Sequence, residues 1–328
     1  MKIDRQSHTL MKLAVKLAVM VSFVGIWHVN AFADPPSVPA KNTELGEKNS
    51  SPSSTKAFDI LHKAKLQLAN EDAFNAKIRQ RVWTGGRLVV GVGTYEQAGN
   101  ETGRFNLQVS MHDGGGKHTL QQVSDGRLSW TQSIIGEAKT LKRVDVGRLD
   151  EWVRASRKAN DFAPRLEVGA FTEMLTNIQR DYTLTAQFGK LQDAKVLIVK
   201  GKLKDEVRQQ IISNTERSNL AELYPSNVRV AITLENDANT QFGKWLPIRF
   251  EFRGDPQKAK NVNSNAASTQ GPLISLLEIY SIHPIEPPPV DRFRFDSQEV
   301  INFTNETDRY LRNYGIRLTD RQRRQLLR

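Results

Sequence analysis

The spacing of apolar residues changes several times along the chain, and each change predicts a new type of element. After Thr55, the residues Ala57, Phe58, Leu61, Ala64, Leu66 and Leu68 form a near-helical apolar repeat. That repeat places them along one side of a helix, with Thr55 as its N-cap. From Phe74 the period falls to two: Phe74, Ala76, Ile78 and Val82 alternate with Lys77, Arg79 and Arg81. Successive side chains of a strand point to opposite faces, so this predicts a half-buried strand. Gly85-Gly86 turns it, and residues 88–95 return. Phe105, Leu107, Val109 and Met111 then alternate with Arg104, Asn106, Gln108 and Ser110, the cleanest strand of the chain. Asp113-Gly114-Gly115-Gly116 and Ser124-Asp125-Gly126 set off further strands at 119–123, 128–135 and 140–146. Short strands joined by tight turns predict an antiparallel meander.

The pattern then becomes helical again. Leu149, Trp152, Val153 and Ser156 follow Asp150, Pro164 interrupts, and Val168, Phe171, Met174, Leu175 and Ile178 predict a second amphipathic helix. Strands resume at 182–188, 194–203, 228–234, 245–252 and 273–282, while 204–226 fits neither period. Pro284 and Pro287-Pro288-Pro289 end the sheet, because proline cannot donate to a ladder. Residues 304–328 predict two short helices around Gly315. The expected fold class is α+β: a strongly curved antiparallel half-barrel of about 11 strands, with a helical insert at 147–180 covering the concave face. Curvature of that kind leaves an apolar cavity between sheet and insert.

The N-terminus reads differently from the rest. Lys2, Arg5, Lys12 and Lys16 precede an apolar run of 11 residues from Leu17 to Trp27, and Ala31-Phe32-Ala33 follows. Basic, then apolar, then small is the pattern of a removable export signal, so residues 1–33 are expected to be cleaved after Ala33 and the protein to be periplasmic or secreted, the alternative being a segment lengthened by the preceding residues and kept as an anchor. Residues 34–54, rich in Pro and Ser, read as a disordered spacer. Residues 55–296 form the expected half-barrel domain and 297–328 a basic helical tail. The sequence contains no cysteine, which excludes disulfides, thiolate chemistry and an N-terminal lipidated cysteine. Of the net charge of +11, the leader carries three. The remaining excess suits an anionic membrane surface or an acidic partner. It is not clustered with aromatics, so no nucleic-acid role is expected.

The order of elements over residues 55–296 resembles the periplasmic lipoprotein-carrier half-barrel. That fold is shared by outer-membrane lipoprotein-sorting proteins of the LolA and LolB type and by their mycobacterial and stress-sensor relatives. The resemblance rests on Phe105 to Val109 followed by Leu120-Gln121-Gln122-Val123-Ser124-Asp125-Gly126-Arg127-Leu128-Ser129-Trp130. It rests also on Leu141-Lys142-Arg143-Val144-Asp145-Val146 leading into the insert, on Lys244-Trp245-Leu246-Pro247-Ile248-Arg249-Phe250-Glu251-Phe252, and on Phe293-Arg294-Phe295-Asp296. It implies an apolar concave site for acyl chains, with the inserted helices as a lid.

Candidate chemistry is sparse. His112, Asp113 and His118 flank a glycine turn and are the one grouping with metal-ligand character; solvated loop residues are the simpler reading. Gly91-Val92-Gly93 lacks the third glycine of a dinucleotide fingerprint and reads as strand glycine near a bend. Ser124-Asp125-Gly126 is a turn without the strand–Ser–helix setting of a nucleophile elbow. No catalytic residue, metal site or cofactor is therefore assigned, and no enzymatic activity is expected. The expected function is binding of lipid or an acylated protein, with carriage between membranes as one use. A sensing module that binds envelope protein partners is the alternative. Cavity candidates are Phe105, Leu107, Val109, Met111, Trp130, Phe250 and Phe252, and lid candidates are Trp152, Phe171 and Leu175. Arg321, Arg323 and Arg324 are the candidates for contact with a membrane or partner.

Overall fold

The computed structural model describes residues 52–84, 87–156, 163–192, 194–213, 224–255, 271–296 and 302–326. The export signal, nearly all of the 34–54 spacer and the Gly85-Gly86 turn lie outside the described residues.

The first helix, α1, is Pro52–Asn70. It begins ahead of Thr55, which therefore lies inside the helix and does not cap it. Proline suits the first helical turn because its φ is already helical and its missing N–H would have had no partner there. The meander follows as β1 (Phe74–Thr84), β2 (Arg87–Gln97), β3 (Arg104–His112), β4 (Lys117–Asp125), β5 (Leu128–Ile135) and β6 (Ala138–Asp145). The insert is α2 (Val146–Ala155), a 3-10 turn at Pro164–Leu166, and α3 (Ala170–Asp181). Asp145 caps α2 by accepting a hydrogen bond from the Arg148 N–H. Then come β7 (Tyr182–Leu191), β8 (Ala194–Leu203), α4 (Asp205–Ser213), β9 (Asn227–Thr233), β10 (Pro247–Arg253) and β11 (Leu273–Pro284). The chain continues through β12 (Thr304–Asn305), α5 (Thr307–Asn313) and α6 (Asp320–Leu326).

These strands form a single 12-stranded sheet in the order β12-β6-β5-β4-β3-β2-β1-β11-β10-β9-β8-β7. Its edges are β12 and β7, so it is an open half-barrel. Eleven strands pair antiparallel as expected; the twelfth, β12, is two residues long and runs parallel to β6. Two residues carry no period, so the sequence pattern has no sign of it. The two halves meet where β1 pairs with β11. Register shifts at Asn75/Lys77, Phe252/Arg253 and Pro247/Arg249 mark bulges, which bend the sheet. At the first, the extra residue falls in β11, where Ser281 adopts a φ of 51°. Gly93 sits at another tight point: a Cβ there would lie 2.0 Å from the Gln108 carbonyl oxygen of β3.

One face of the sheet, the inner one, carries the main core. Two helices cover it: α1 through Ala57, Leu61 and Ala64, and α3 through Phe171, Leu175 and Ile178. The insert is thus only half the cover. Its first helix, α2, turns away and buries Leu149 and Val153 in a second cluster with Leu311 and Leu318 of the C-terminal segment.

Candidate functional site

The inner face brings together six of the seven cavity candidates. Leu107 and Phe250 are fully buried, and Phe105, Val109, Met111 and Phe252 nearly so, in one cluster with the lid candidates Phe171 and Leu175. The cross-strand register explains the grouping: Leu107 lies opposite Tyr95, and Phe250 opposite Leu277 and Val230. The Phe171 ring bridges the two halves of the barrel, 4.7 Å from Tyr95 and 6.1 Å from Phe250 between ring centres. Burial of each such side chain is worth about 1.5–3 kcal/mol. The roof is therefore held on the sheet by apolar packing, and in this structure it is shut.

Two candidates lie elsewhere. Trp130 pairs with Val123 and Arg143 on the outer face, where its ring stacks on Phe295 at 5.3 Å and meets Phe303 edge-on at 5.3 Å. It cannot line the inner face, because the inner positions of β5 are Ser129, Thr131, Ser133 and Ile135 (opposite Ser124, Gln122, Leu120 and His118). Trp152 is half-buried against the second cluster and takes no part in the roof. Trp83 is exposed, on the outer face with Leu88, Val90 and Val92. Arg321 and Arg324 are exposed on α6, and the side chain of Arg323 lies outside the described residues.

His112 and His118 do not meet. They occupy β3 and β4 with opposite parity: His118 is buried opposite Met111, whereas His112 is exposed. His118 Nε2 lies 2.8 Å from Asp113 Oδ2, and His118 Nδ1 accepts the Gly136 N–H at 3.1 Å, so the imidazole closes the hairpin. Burial works to raise the Asp113 carboxyl, but hydrogen bonds from His118 and the Gly115 N–H hold it below its ordinary value. Among the described residues, no three His, Asp or Glu side chains converge as metal ligands would.

The structure also reveals polar residues that the apolar pattern passes over. Gln80 of β1 is fully buried on the inner face, between Ile78 and Val82 in sequence and between Gly91 and Leu277 across the sheet. Neither its Nε2 nor its Oε1 has a hydrogen-bond partner. A buried amide left in that state costs about 1–3 kcal/mol. Its in-phase position in β1 was the available signal, since Ile78 and Val82 share its parity. A second polar group joins α1, α3 and α5 around a cleft of about 300 Å³. There Lys65 pairs with Glu167 at 2.9 Å, Tyr314 donates to Glu167 Oε2 at 2.7 Å, and Tyr310 donates to Glu173 Oε1 at 2.6 Å. The Gly169 N–H donates to the other Glu173 oxygen at 2.8 Å. Burial pushes the Glu173 carboxyl above its ordinary value, although Tyr310, the Arg309 charge and the Gly169 N–H pull the other way. These groups lie far apart in sequence, so no local motif announces them.

The sequence matches no protein-family profile and no curated protein. Among solved structures it is similar to MucB, at 12% identity over 76% of this chain and 66% of that one, with a TM-score of 0.37; it thus spans just under two thirds of MucB. It is similar to a LolA superfamily protein from Nitrosomonas europaea, at 14% identity over 73% of this chain and 98% of that one, with a TM-score of 0.28. It is similar also to LprF from Mycobacterium bovis, at 10% identity over 73% of this chain and 98% of that one, with a TM-score of 0.32.

Proposed function

We propose that this chain is an exported, non-enzymatic envelope protein that binds lipid or an acylated protein on the inner face of its half-barrel. The observation that carries this reading is the roof. An apolar sheet face is covered by two helices, α1 and α3, that are held on it by side-chain packing and by few hydrogen bonds, Gln97 donating to the Leu68 carbonyl of α1 and the Ala170 N–H of α3 donating to Gln122. Such helices can lift without breaking a strand ladder, and an acyl chain replaces their contacts at about 0.8 kcal/mol per CH₂ buried. Phe105, Leu107, Val109, Met111, Phe250 and Phe252 would contact the chain, with Phe171 and Leu175 as the moving lid. The exposed Arg321 and Arg324 would meet an anionic membrane surface or an acidic partner face. The test is lipid mass spectrometry of the purified mature protein, together with displacement of a dansyl-labelled undecanoic acid. Co-purified lipid and saturable displacement are the expected results; neither appearing would overturn the reading.

A second reading, an interaction module for other envelope proteins, is favoured by one observation. The inner face is packed shut, with Leu107, Leu175 and Phe250 fully buried. On that reading the ligand-free state persists, and a pull-down from envelope extract recovers a single stoichiometric protein with no lipid in either partner.

A further inference from the structure

Resting on the lipid-binding reading, we infer that Gln80 is the polar anchor of the inner face and selects acyl chains whose carbonyl is amide-linked. The Gln80 side chain is fully buried, and neither of its amide atoms has a partner. Buried polar groups are almost always paired, so an amide with both ends open asks for a function. Its surroundings are those of an acyl site: Ile78 and Val82 flank it in β1, and Leu277 lies opposite in β11. On the β2 side its neighbour is Gly91, over which Met111 leans; a Cβ at Gly91 would lie 2.6 Å from Met111 Cγ. Gly91 adds no side chain of its own, and Met111 is an unbranched, adaptable one that can move aside.

The chemistry follows from the inventory of the amide. Gln80 offers a donor at Nε2 and an acceptor at Oε1. A hydrocarbon satisfies neither. An ester carbonyl satisfies the donor only. An N-acyl group offers a carbonyl that is a stronger acceptor than an ester's and also an N–H on the opposite edge, so it can satisfy either end of the glutamine amide while its chain lies along the apolar face. The closed state leaves both atoms unpaired, so lifting the roof onto such a ligand removes a penalty that an alkane leaves in place.

The test uses the mature protein and three competitors of equal chain length, N-methylpalmitamide, methyl palmitate and hexadecane, against the dansyl-labelled undecanoic acid. The wild type should rank them amide, ester, alkane, with about tenfold between the first and the last. Gln80→Met, unbranched and of similar length, should bind all three within about twofold and should melt at a higher temperature, because the unpaired amide is gone. Gln80→Leu serves as the second variant if Gln80→Met does not fold, with the same expectation. Wild-type binding with no ranking, or a ranking kept in the folded variant, overturns the anchor and leaves the lipid-binding reading in place. A variant that melts lower and keeps the ranking shows a structural glutamine, which also overturns the anchor. Probe binding by neither wild type nor variant overturns both.

Discussion

The hydroxyl of Tyr310 donates to Glu173 Oε1 at 2.6 Å, tying the C-terminal helix α5 to the roof helix α3 across 137 residues of sequence. Glu173 also accepts the Gly169 N–H, so one carboxylate both fixes the start of α3 and receives the tail. Tyr314 repeats the arrangement on Glu167, which holds Lys65 of α1. The C-terminal segment thus latches both roof helices. A hydrogen bond to a charged group contributes about 1.5–3 kcal/mol. Tyr310→Phe, which removes the hydroxyl alone, should destabilise the protein by that amount in urea unfolding. It should also speed proteolysis near residue 310 and hasten uptake of the fatty-acid probe. An unchanged uptake rate with the expected loss of stability would mean that the tail braces the fold without restraining the roof.

Glu173 gives the latch a pH dependence of known sign. Burial raises its folded-state value above the ordinary 4.5, so the folded protein holds the proton longer than the unfolded chain. The stability linked to this group is complete below 4.5 and declines as pH rises through the raised value, where the carboxyl ionises inside the fold. Glu173→Gln should remove that decline. The check is a urea series from acid to neutral pH, comparing the slopes of stability against pH. Parallel slopes in the two proteins would overturn the assignment.

Phe171 spans both halves of the inner face, so its truncation should damage packing and closure together. Phe171→Ala should cost about 3–5 kcal/mol in equilibrium unfolding. In stopped-flow mixing, the folded variant should take up the probe faster than the wild type, because the contact with Tyr95 and Phe250 has gone. A slower uptake would show that entry does not require α3 to lift.

Trp130 provides a control on the other face. Phe295→Ala should cost about 0.5–1.5 kcal/mol beyond the lost area, the worth of an aromatic pair, and should shift tryptophan emission to the red as Trp130 meets water. Probe affinity should stay that of the wild type. A change in affinity would place Trp130 in communication with the ligand after all.

Gly93 tests the close approach of β2 and β3. With a Cβ 2.0 Å from the Gln108 carbonyl, Gly93→Ala must push β3 away from β2. Overpacking of this kind costs about 1–3 kcal/mol or more. The variant should lose stability and should gain exposed apolar surface, measured by anilinonaphthalene sulfonate fluorescence.

Much of the fold was legible in the residues. The alternation of Phe105, Leu107, Val109 and Met111 marked a buried strand face, and the return to helical spacing at Leu149 and again at Phe171 marked the insert. Those are local properties: side-chain direction in a strand or helix repeats with a fixed period, whatever the rest of the chain does. The tertiary structure decided how the local faces combine. Trp130 and Phe105 belong to strands two apart in the sheet, and their relative side depends on the register through β4, where a slip of one residue exchanges the faces. The choice of α1 and α3 as the roof, and the docking of α2 with the tail, depend on which apolar surfaces meet once the sheet has curved. Gln80 is the clearest case. Its buried parity was readable in β1, but its lack of a partner is a property of every strand and helix around it, and only the assembled half-barrel contains that information.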